Sequence, residues 1–427
     1  MRFPRAWALA FLVVLLLGLA GPAVLSPPAA AGSEPPSVLA TAYNTQRKLA
    51  RTPDGTLYAA ITVNASGDLA ARVLWTHDGA SWSALPPPPT SAGASDRTSL
   101  AVDSRGALHL VWTEVTGGSR QVVYARYEGG AWSPKVQLSS SPGYAGFPSV
   151  AIDAHDHVHV AWYATDGTYY QIYYRRLESA GWTPETPLTF TSVDATNPAI
   201  AVGPDGVVHI VWGRESSRFF LEIAYLRLEG DTVVDTRPIS TPDVDAFGPS
   251  LVVDSAGTVH VAWDAANRIQ SVEASPGWSA PQSISPGGLA ARNPSLALDA
   301  SGRLYAVWEA SDGRIYLQTR DGGWSAPVPI SAGGVNHYPN ARWSQFDNPL
   351  CGPNAGIDVV WTEDREGTLR LGYHRIDPAA TCPGEAGWPW SVSVVFAIPA
   401  IVGATAYVLD RRRRRERPPA NGAPRKP

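Results

Sequence analysis

The sequence predicts an all-β fold, a seven-bladed β-propeller of four-stranded antiparallel blades, and three observations support it. The stretch DSAGTVHVAW at 254–263 recurs in related form, for example as DSRGALHLVW at 103–112 and DAHDHVHVAW at 153–162. Apolar and β-branched residues alternate around each copy, which is typical of strands. Glycine (39) and proline (38) are abundant, as many short strands joined by turns require.

Each repeat unit divides into four strands. Residues 293–331 contain the strands SLALD, RLYAVWE, RIYLQTR and WSAPVPIS, separated by the turns ASG, ASDG and DGG. Four short strands repeated at this period indicate propeller blades. A degenerate first unit at 48–86 precedes six later units, which gives seven blades; the later units begin near Ser99, Ser149, Ala199, Ser250, Ser295 and Asn340.

The last unit shows three strand-like segments and then stops at Pro378 without a fourth. The segment PSVLATAYN (36–44) has strand character and belongs to no unit. We expect it to supply the outer strand of the last blade and so close the ring. Cys351 and Cys382 are the only cysteines, and we expect them to form a disulfide near the closure point.

The N-terminal residues 1–31 have the pattern of a secretory signal peptide. Arg2 and Arg5 precede an apolar run, and small residues then allow cleavage after Ala31. An uncleaved membrane anchor is the alternative. In either case we expect the propeller, assigned to 32–378, to lie outside the cytoplasm.

A single transmembrane helix is predicted at 388–410, after a linker at 379–387. Residues 392–409 carry no charge, and two tryptophans precede them, as at a membrane interface. Five arginines at 411–415 open a basic tail (411–427), which the positive-inside rule places in the cytoplasm. The expected location is therefore the cell membrane, with one pass and the propeller outside.

The repeated histidines invite a metal-site interpretation, which the substitution pattern argues against. They stand three residues before a tryptophan, where three other units have Tyr58, Tyr305 or Asp358; the histidines are His109, His159, His209 and His260. A zinc site would not exchange histidine for tyrosine around a ring. We interpret the column as hydrogen-bonding groups in the seams between blades and the tryptophans as core. No metal and no cofactor is predicted.

One turn carries a family resemblance. THDGASW (76–82) keeps Thr76, Asp78, Gly79 and Trp82 of the pattern Ser/Thr-x-Asp-x-Gly-x-Thr-Trp but is one residue short, and other units keep only the glycine and tryptophan. Residues 36–377 thus resemble the sialidase-like propellers with Asp-box (BNR) repeats. The resemblance implies the fold.

For a sialidase-type enzyme the resemblance also implies three arginines that bind a substrate carboxylate and a tyrosine nucleophile activated by a glutamate. Arg97, Arg292 and Arg342 are the arginine candidates, and Tyr338 is the nucleophile candidate. The family's N-terminal Arg-Ile-Pro signature is absent from the chain. The sequence therefore leaves enzymatic activity open and favours a protein without turnover.

The loops that join successive blades vary, unlike the repeated turns at the other end of the strands, so we expect a binding face there. The candidate ligand-binding residues around the channel mouth are Asp96, Arg97, Tyr144, Asp194, Asn197, Asp245, Arg292, Asn293, His337, Tyr338 and Arg342. Loops between second and third strands add Glu114, Arg214, Glu215, Asp264, Glu309, Asp312, Glu363 and Asp364.

Mixed carboxylates, arginines and aromatic residues suit sugars or peptide segments. The predicted function is a membrane-tethered, non-catalytic recognition module for glycans or extracellular proteins. The alternatives are a sialidase-like glycoside hydrolase and a structural scaffold of the cell envelope. A net charge of -4 gives no sign of nucleic-acid binding.

Overall fold

The computed structural model describes residues 36–342, except 92, 217, 276 and 300, together with 356–376 and 391–395. These residues form seven antiparallel sheets that follow one another along the chain, one sheet to a blade. In each sheet the strands pair in sequence order. The prediction of seven four-stranded antiparallel blades is confirmed.

Blade 1 contains β1 (Leu49–Arg51), β2 (Leu57–Ala65), β3 (Asp68–Thr76) and β4 (Ser83–Ala84). Blade 2 contains β5 (Ser95–Val102), β6 (Leu108–Thr116), β7 (Ser119–Glu128), β8 (Ala131–Trp132) and β9 (Val136–Gln137). Blade 3 contains β10 (Ala145–Ile152), β11 (Val158–Thr165), β12 (Tyr170–Glu178), β13 (Gly181–Trp182) and β14 (Thr186–Pro187). Blades 4 and 5 contain β15 (Ala195–Val202), β16 (Val208–Glu215), β17 (Leu221–Glu229), β18 (Thr232–Pro238); and β19 (Ala246–Val253), β20 (Val259–Ala265), β21 (Arg268–Ala274), β22 (Gln282–Ser283). Blades 6 and 7 contain β23 (Ala291–Leu298), β24 (Leu304–Ala310), β25 (Ile315–Asp321), β26 (Gly323–Trp324), β27 (Val328–Pro329); and β28 (Val335–Ala341), β29 (Ile357–Arg365), β30 (Thr368–Ile376), β31 (Ser391–Val395).

The outermost strand is interrupted in blades 2, 3 and 6. There it consists of two short pieces that both pair with the third strand, as β8 and β9 do with β7. Proline and glycine near the break explain it, because proline cannot donate to a sheet ladder. In blade 4 the outermost strand β18 is continuous over seven residues.

Hydrophobic clusters join each blade to the next. The second-strand tryptophans are at most 2% exposed, and each lies in one cluster with residues of the preceding blade; they are Trp112, Trp162, Trp212, Trp263, Trp308 and Trp361. A further cluster joins Val360 and Leu371 of blade 7 to Leu57 and Ile61 of blade 1. This last cluster closes the ring, and the tryptophan column is core as predicted.

The predicted mode of closure is wrong. Residues 36–44 are not the outer strand of blade 7; Pro36 pairs with Val63 of β2, and the Thr62 amide donates to the Ala40 carbonyl. The segment then runs to the centre of the ring and continues into β1. The fourth strand of blade 7 is β31, which pairs with β30 between residues 370 and 374. The alternating sequence SVSVV suits that free strand edge.

Five residues of the predicted transmembrane helix are therefore strand in the structure. The rest of that prediction, 388–390 and 396–410, lies outside the described residues. So do the predicted signal peptide, linker and tail and both cysteines of the predicted disulfide. Among the described residues no helix is long and apolar enough to span a membrane.

The histidine column forms hydrogen bonds, as predicted, but within blades rather than between them. His109 Nδ1 lies 2.9 Å from the Tyr124 hydroxyl, and its Nε2 lies 3.4 Å from Asp103, both in blade 2. In blade 6 the Tyr305 hydroxyl donates to Asp299 at 2.9 Å. In blades 2, 3, 5 and 6 the residue of this column contacts the aspartate of the first turn, and in blade 4 His209 lies 2.7 Å from the Tyr225 hydroxyl of the third strand. The expected seam location is wrong for these five residues, because their partners lie in the same sheet. It is correct for Asp358 of blade 7, which binds Arg51 of blade 1.

Candidate functional site

The inner strands of blades 2 to 7 share one bulge. At the bulge two residues face a single residue of the next strand; in blade 2, for example, the register shifts between Asp96 and Ser99. The first bulge residue has a φ between 50° and 55° in all six blades; these residues are Arg97, Phe147, Asn197, Gly248, Asn293 and Tyr338. Four of the predicted ligand-binding residues thus occupy equivalent positions around the centre.

The bulges turn backbone carbonyls out of the sheet ladder, and residues 41–48, which we name the central segment, bind several of them. The Asn44 amide nitrogen donates to the carbonyls of Gly248 and Pro294, both at 2.6 Å. The Gln46 amide nitrogen likewise donates to one carbonyl in blade 2 and one in blade 3. The central segment therefore ties opposite sides of the ring together.

A buried lysine ends this segment. Lys48 is fully buried, and its ammonium donates to the Thr98 carbonyl and, at 3.2 Å, to Gln46 Oε1. Burial lowers the pKa of Lys48 well below its ordinary value, while nearby Asp96 opposes that shift. The backbone amide of Lys48 also donates to Asn340 of blade 7 at 2.9 Å.

The channel mouth that the sequence predicts is occupied by Tyr43. Its ring lies 4.9 Å from the Phe147 ring and 5.8 Å from the Tyr338 ring, centroid to centroid. The Arg97 guanidinium lies over the Phe147 ring at 4.4 Å and is paired with Asp96. The chain thus places its own N-terminal segment among the residues that were predicted to surround the mouth.

Arg342 lies elsewhere. It is 1% exposed, and its Nε donates to the buried Asp358 at 2.8 Å. Asp358 also accepts two hydrogen bonds from Arg51 of blade 1. Asp358 is the second residue of β29, whereas the mouth lies at the far end of that strand, so Arg342 does not converge with Arg97 and Arg292. Its placement at the mouth was wrong because a buried carboxylate at the opposite end binds it.

Two clefts lie on the face formed by the blade-joining loops. The smaller, about 370 Å³, separates blades 6 and 7, and its charged lining residues are Arg292, Glu309, Asp312 and His337. His337 Nδ1 lies 3.6 Å from Glu309 Oε2, and the same oxygen accepts the Tyr338 amide at 2.9 Å. Its interaction with Glu309 raises the pKa of His337.

Asp264, on β20 of blade 5, stands next to this group. It accepts the Asn293 amide at 3.1 Å. Burial raises its pKa to about 6, and Glu309 adds to the effect while Arg292 opposes it. A carboxyl group that protonates near pH 6 beside a cleft is a candidate acid.

The larger cleft, about 670 Å³, is centred on the loops of blade 4. Its lining includes the aromatic ring of Phe190, which is 83% exposed, and neighbouring Phe219 is 84% exposed. Arg214 Nε donates to Glu222 at 2.6 Å within the lining. The aromatic residues were not predicted as site residues, although apolar rings within polar loops are a signal available from sequence.

The other predicted site residues support the loops. Asp194 accepts the Tyr170 amide at 2.9 Å, and Asp245 accepts the Leu221 amide at 2.8 Å. Both carboxylates thus hold the start of a third strand. The Tyr144 ring stacks on Tyr163 with centroids 5.6 Å apart.

No protein-family model matches the chain, and no curated protein matches it. Solved structures do share its fold. An ulvan lyase of a new polysaccharide lyase family, bound to the sugar -[GlcA(1-4)Rha3S]-, superposes with a TM-score of 0.53 at 10% identity over 81% of this chain and 93% of that one. A prolyl endopeptidase gives 0.51 at 15% identity over 82% of this chain but 48% of the other. A Hadza microbial sialidase gives 0.41 at 11% identity over 69% and 70%. The ulvan lyase and the prolyl endopeptidase thus share the fold of this chain.

Proposed function

We propose that the propeller is a recognition module that binds a glycan on the face carrying the two clefts. The observation that carries the proposal is the exposed Phe190 ring in the wall of the 670 Å³ cleft, beside Arg214 and Glu222. A sugar ring presents a flat C–H face that packs on an aromatic ring, while charged side chains hydrogen-bond its hydroxyls. The cleft offers both kinds of contact.

The fold itself accommodates glycans, since the ulvan lyase of similar fold was solved with a sugar bound. The sialidase-type alternative has less support, because Arg342 is bound to Asp358 at the opposite end of blade 7. The three arginines that such an enzyme requires are therefore not assembled.

The proposal includes a location outside the cell. A signal peptide at 1–31 would export the chain, and the apolar residues that follow β31 within 396–410, next to five arginines, would tether it as a single-pass protein of the cell membrane. The support for this part is the sequence pattern. Membrane fractionation with protease protection tests it: the propeller should be cleaved from intact cells, and protection of the propeller would contradict it.

The test of glycan binding is an array of glycans probed with the purified protein and three variants. Phe190→Ala removes the stacking surface and should lower affinity for the retained glycan at least tenfold. Arg214→Ala should also weaken binding, through lost hydrogen bonds. Val328→Ala, which truncates an exposed residue on the outer strand of blade 6, is the control and should bind as the wild type does.

Retention that is unaffected by Phe190→Ala would contradict this site. Complete absence of retention would contradict glycan recognition and favour a protein partner or an envelope scaffold.

A second candidate, glycoside hydrolysis, is favoured by one observation: Asp264, with its pKa raised to about 6, lies close to the carboxylate of Glu309. Paired carboxylates with different pKa values are the usual acid and base of such enzymes. Release of reducing ends from the retained glycan, abolished in Asp264→Asn, would establish it. Retention of the glycan without release of reducing ends would contradict hydrolysis and support recognition only.

A further inference from the structure

The first turn of blade 3 differs from the first turns of its neighbours. It reads Asp-Ala-His-Asp-His (153–157), whereas blade 2 has Asp-Ser-Arg-Gly-Ala (103–107). Asp156 adopts a φ of 62° at the position where blade 2 has Gly106. Among the turns that the structure describes, in blades 1 to 6, this one alone carries two histidines.

The turn holds its polar groups close together. One ligand atom each of Asp153, His155 and His157 lies within 4.8 Å of the others. Asp153 Oδ1 accepts the backbone amides of His155 at 2.8 Å and His157 at 2.9 Å. The two imidazole rings stack with centroids 5.9 Å apart. The backbone of the turn thus fixes the carboxylate relative to both histidines.

The Asp153 carboxylate is connected to a buried chain of hydrogen bonds. Asp153 Oδ2 lies 3.3 Å from His159 Nε2, and His159 Nδ1 lies 2.7 Å from the Tyr174 hydroxyl. Burial opposes ionisation of Asp153, but its hydrogen bonds to His159 and to His157 outweigh that and hold its pKa below the ordinary value. The carboxylate is therefore ionised, and outer hydrogen bonds of this kind orient metal ligands.

We propose that Asp153, His155 and His157 bind a divalent transition-metal ion of the zinc type. Two imidazole nitrogens and one carboxylate oxygen are a usual zinc donor set, and water completes a tetrahedron. Bonds of about 2.0–2.1 Å require the three ligand atoms to lie closer together than 4.8 Å. The exposed His155 side chain can make that adjustment by rotation.

His157 Nδ1 lies 2.8 Å from Asp153 Oδ2. A metal ion that binds Nδ1 requires the neutral imidazole with its proton on Nε2, so protons compete with the metal for this nitrogen. Arg105 of blade 2 is the nearby cation, and it faces Asp103 at 3.4 Å and Asp156 at 3.9 Å, which compensate its charge. The site lies on the face opposite the two clefts, so it is independent of glycan binding.

The test is titration of untagged, metal-free protein with Zn²⁺, and with Co²⁺ for the visible absorption of a tetrahedral site. We expect one ion per chain, a higher melting temperature with the metal, and weaker binding at lower pH. His155→Ala and His157→Ala should each lower the affinity at least tenfold.

The double variant H155R/H157A replaces both histidines by the residues at the equivalent positions of the blade 2 turn, Arg105 and Ala107. Because those residues occur in the same turn of a neighbouring blade, the variant should fold and should no longer bind the metal. His77→Ala, at an exposed histidine of blade 1, is the matched control and should leave binding unchanged. Failure of the wild type to bind Zn²⁺, or binding that persists in H155R/H157A, would overturn the assignment.

Discussion

At the scale of single residues, burial acts on two aspartates with opposite results. Asp358 is fully buried, yet Arg51 and Arg342 hold its carboxylate ionised and its pKa below the ordinary value. Asp264 accepts a backbone amide, and there burial dominates and raises the pKa to about 6. The difference lies in the charge that each site supplies.

Asp264 makes stability depend on pH. Asp264 binds its proton more tightly in the folded protein than in the unfolded chain. Its protonation therefore contributes to the free energy of unfolding in full below about pH 4, and that contribution is lost as the pH rises through about 6. We expect Asp264→Asn to remove that loss. Relative to wild type, the variant should gain on the order of 1–3 kcal/mol between pH 4 and pH 7 in urea unfolding.

Asp68→Asn, which removes an exposed carboxylate from the edge of blade 1, provides the baseline for this comparison. If the difference between Asp264→Asn and wild type is the same at both pH values, the raised pKa is wrong.

At the scale of elements, the central segment is held by side-chain amides that bond the carbonyls of the bulges. Replacing either amide leaves buried carbonyls without these donors. We expect Asn44→Ala and Gln46→Ala each to cost about 1–3 kcal/mol in the free energy of unfolding. Gln282→Ala, at an exposed position of β22, is the control and should change stability by less than about 0.5 kcal/mol. Equal stability of all three variants would show that the segment contributes little.

The sequence predicted the blades because local features specify them: alternating apolar residues mark each strand, and the residues between the strands favour turns. It did not predict where residues 36–44 go, because strand character alone does not identify a partner. Asn44 finds its acceptors in blades 5 and 6, and nothing local marks them. Arg97 and Tyr338 lie at equivalent bulges of their inner strands, whereas the position of Tyr43 between Phe147 and Tyr338 depends on the whole ring.

Arg342 shows the same limit. It lies four positions after Tyr338, and along an extended strand that distance leads from the mouth to the opposite end of the blade. There is another reason why the sequence did not predict Phe190 and Phe219 as site residues. An apolar residue near the end of a strand is usually assigned to the core, and only the geometry of the loops shows that these two rings are exposed.

At the scale of the whole molecule, β31 completes the seventh blade. A chain ending at residue 390 lacks this strand and leaves the edge of β30 unpaired, whereas a chain ending at residue 395 keeps it. We expect the longer form to be monomeric and the shorter one to self-associate through the open edge and melt at a lower temperature. Size-exclusion chromatography and thermal melting compare them. Identical behaviour would mean that β31 does not contribute to the ring.

The central segment also sets an order of events in folding. Asn44 bonds residues that lie 204 and 250 positions further along the chain. These partners are not present until blades 5 and 6 have been synthesised and have formed, so the central segment is made before the blades but reaches its final place only after blades 5 and 6 have formed. Contacts so distant in sequence slow folding, and until they form, the carbonyls of Gly248 and Pro294 lack the Asn44 donor that they have in the finished ring.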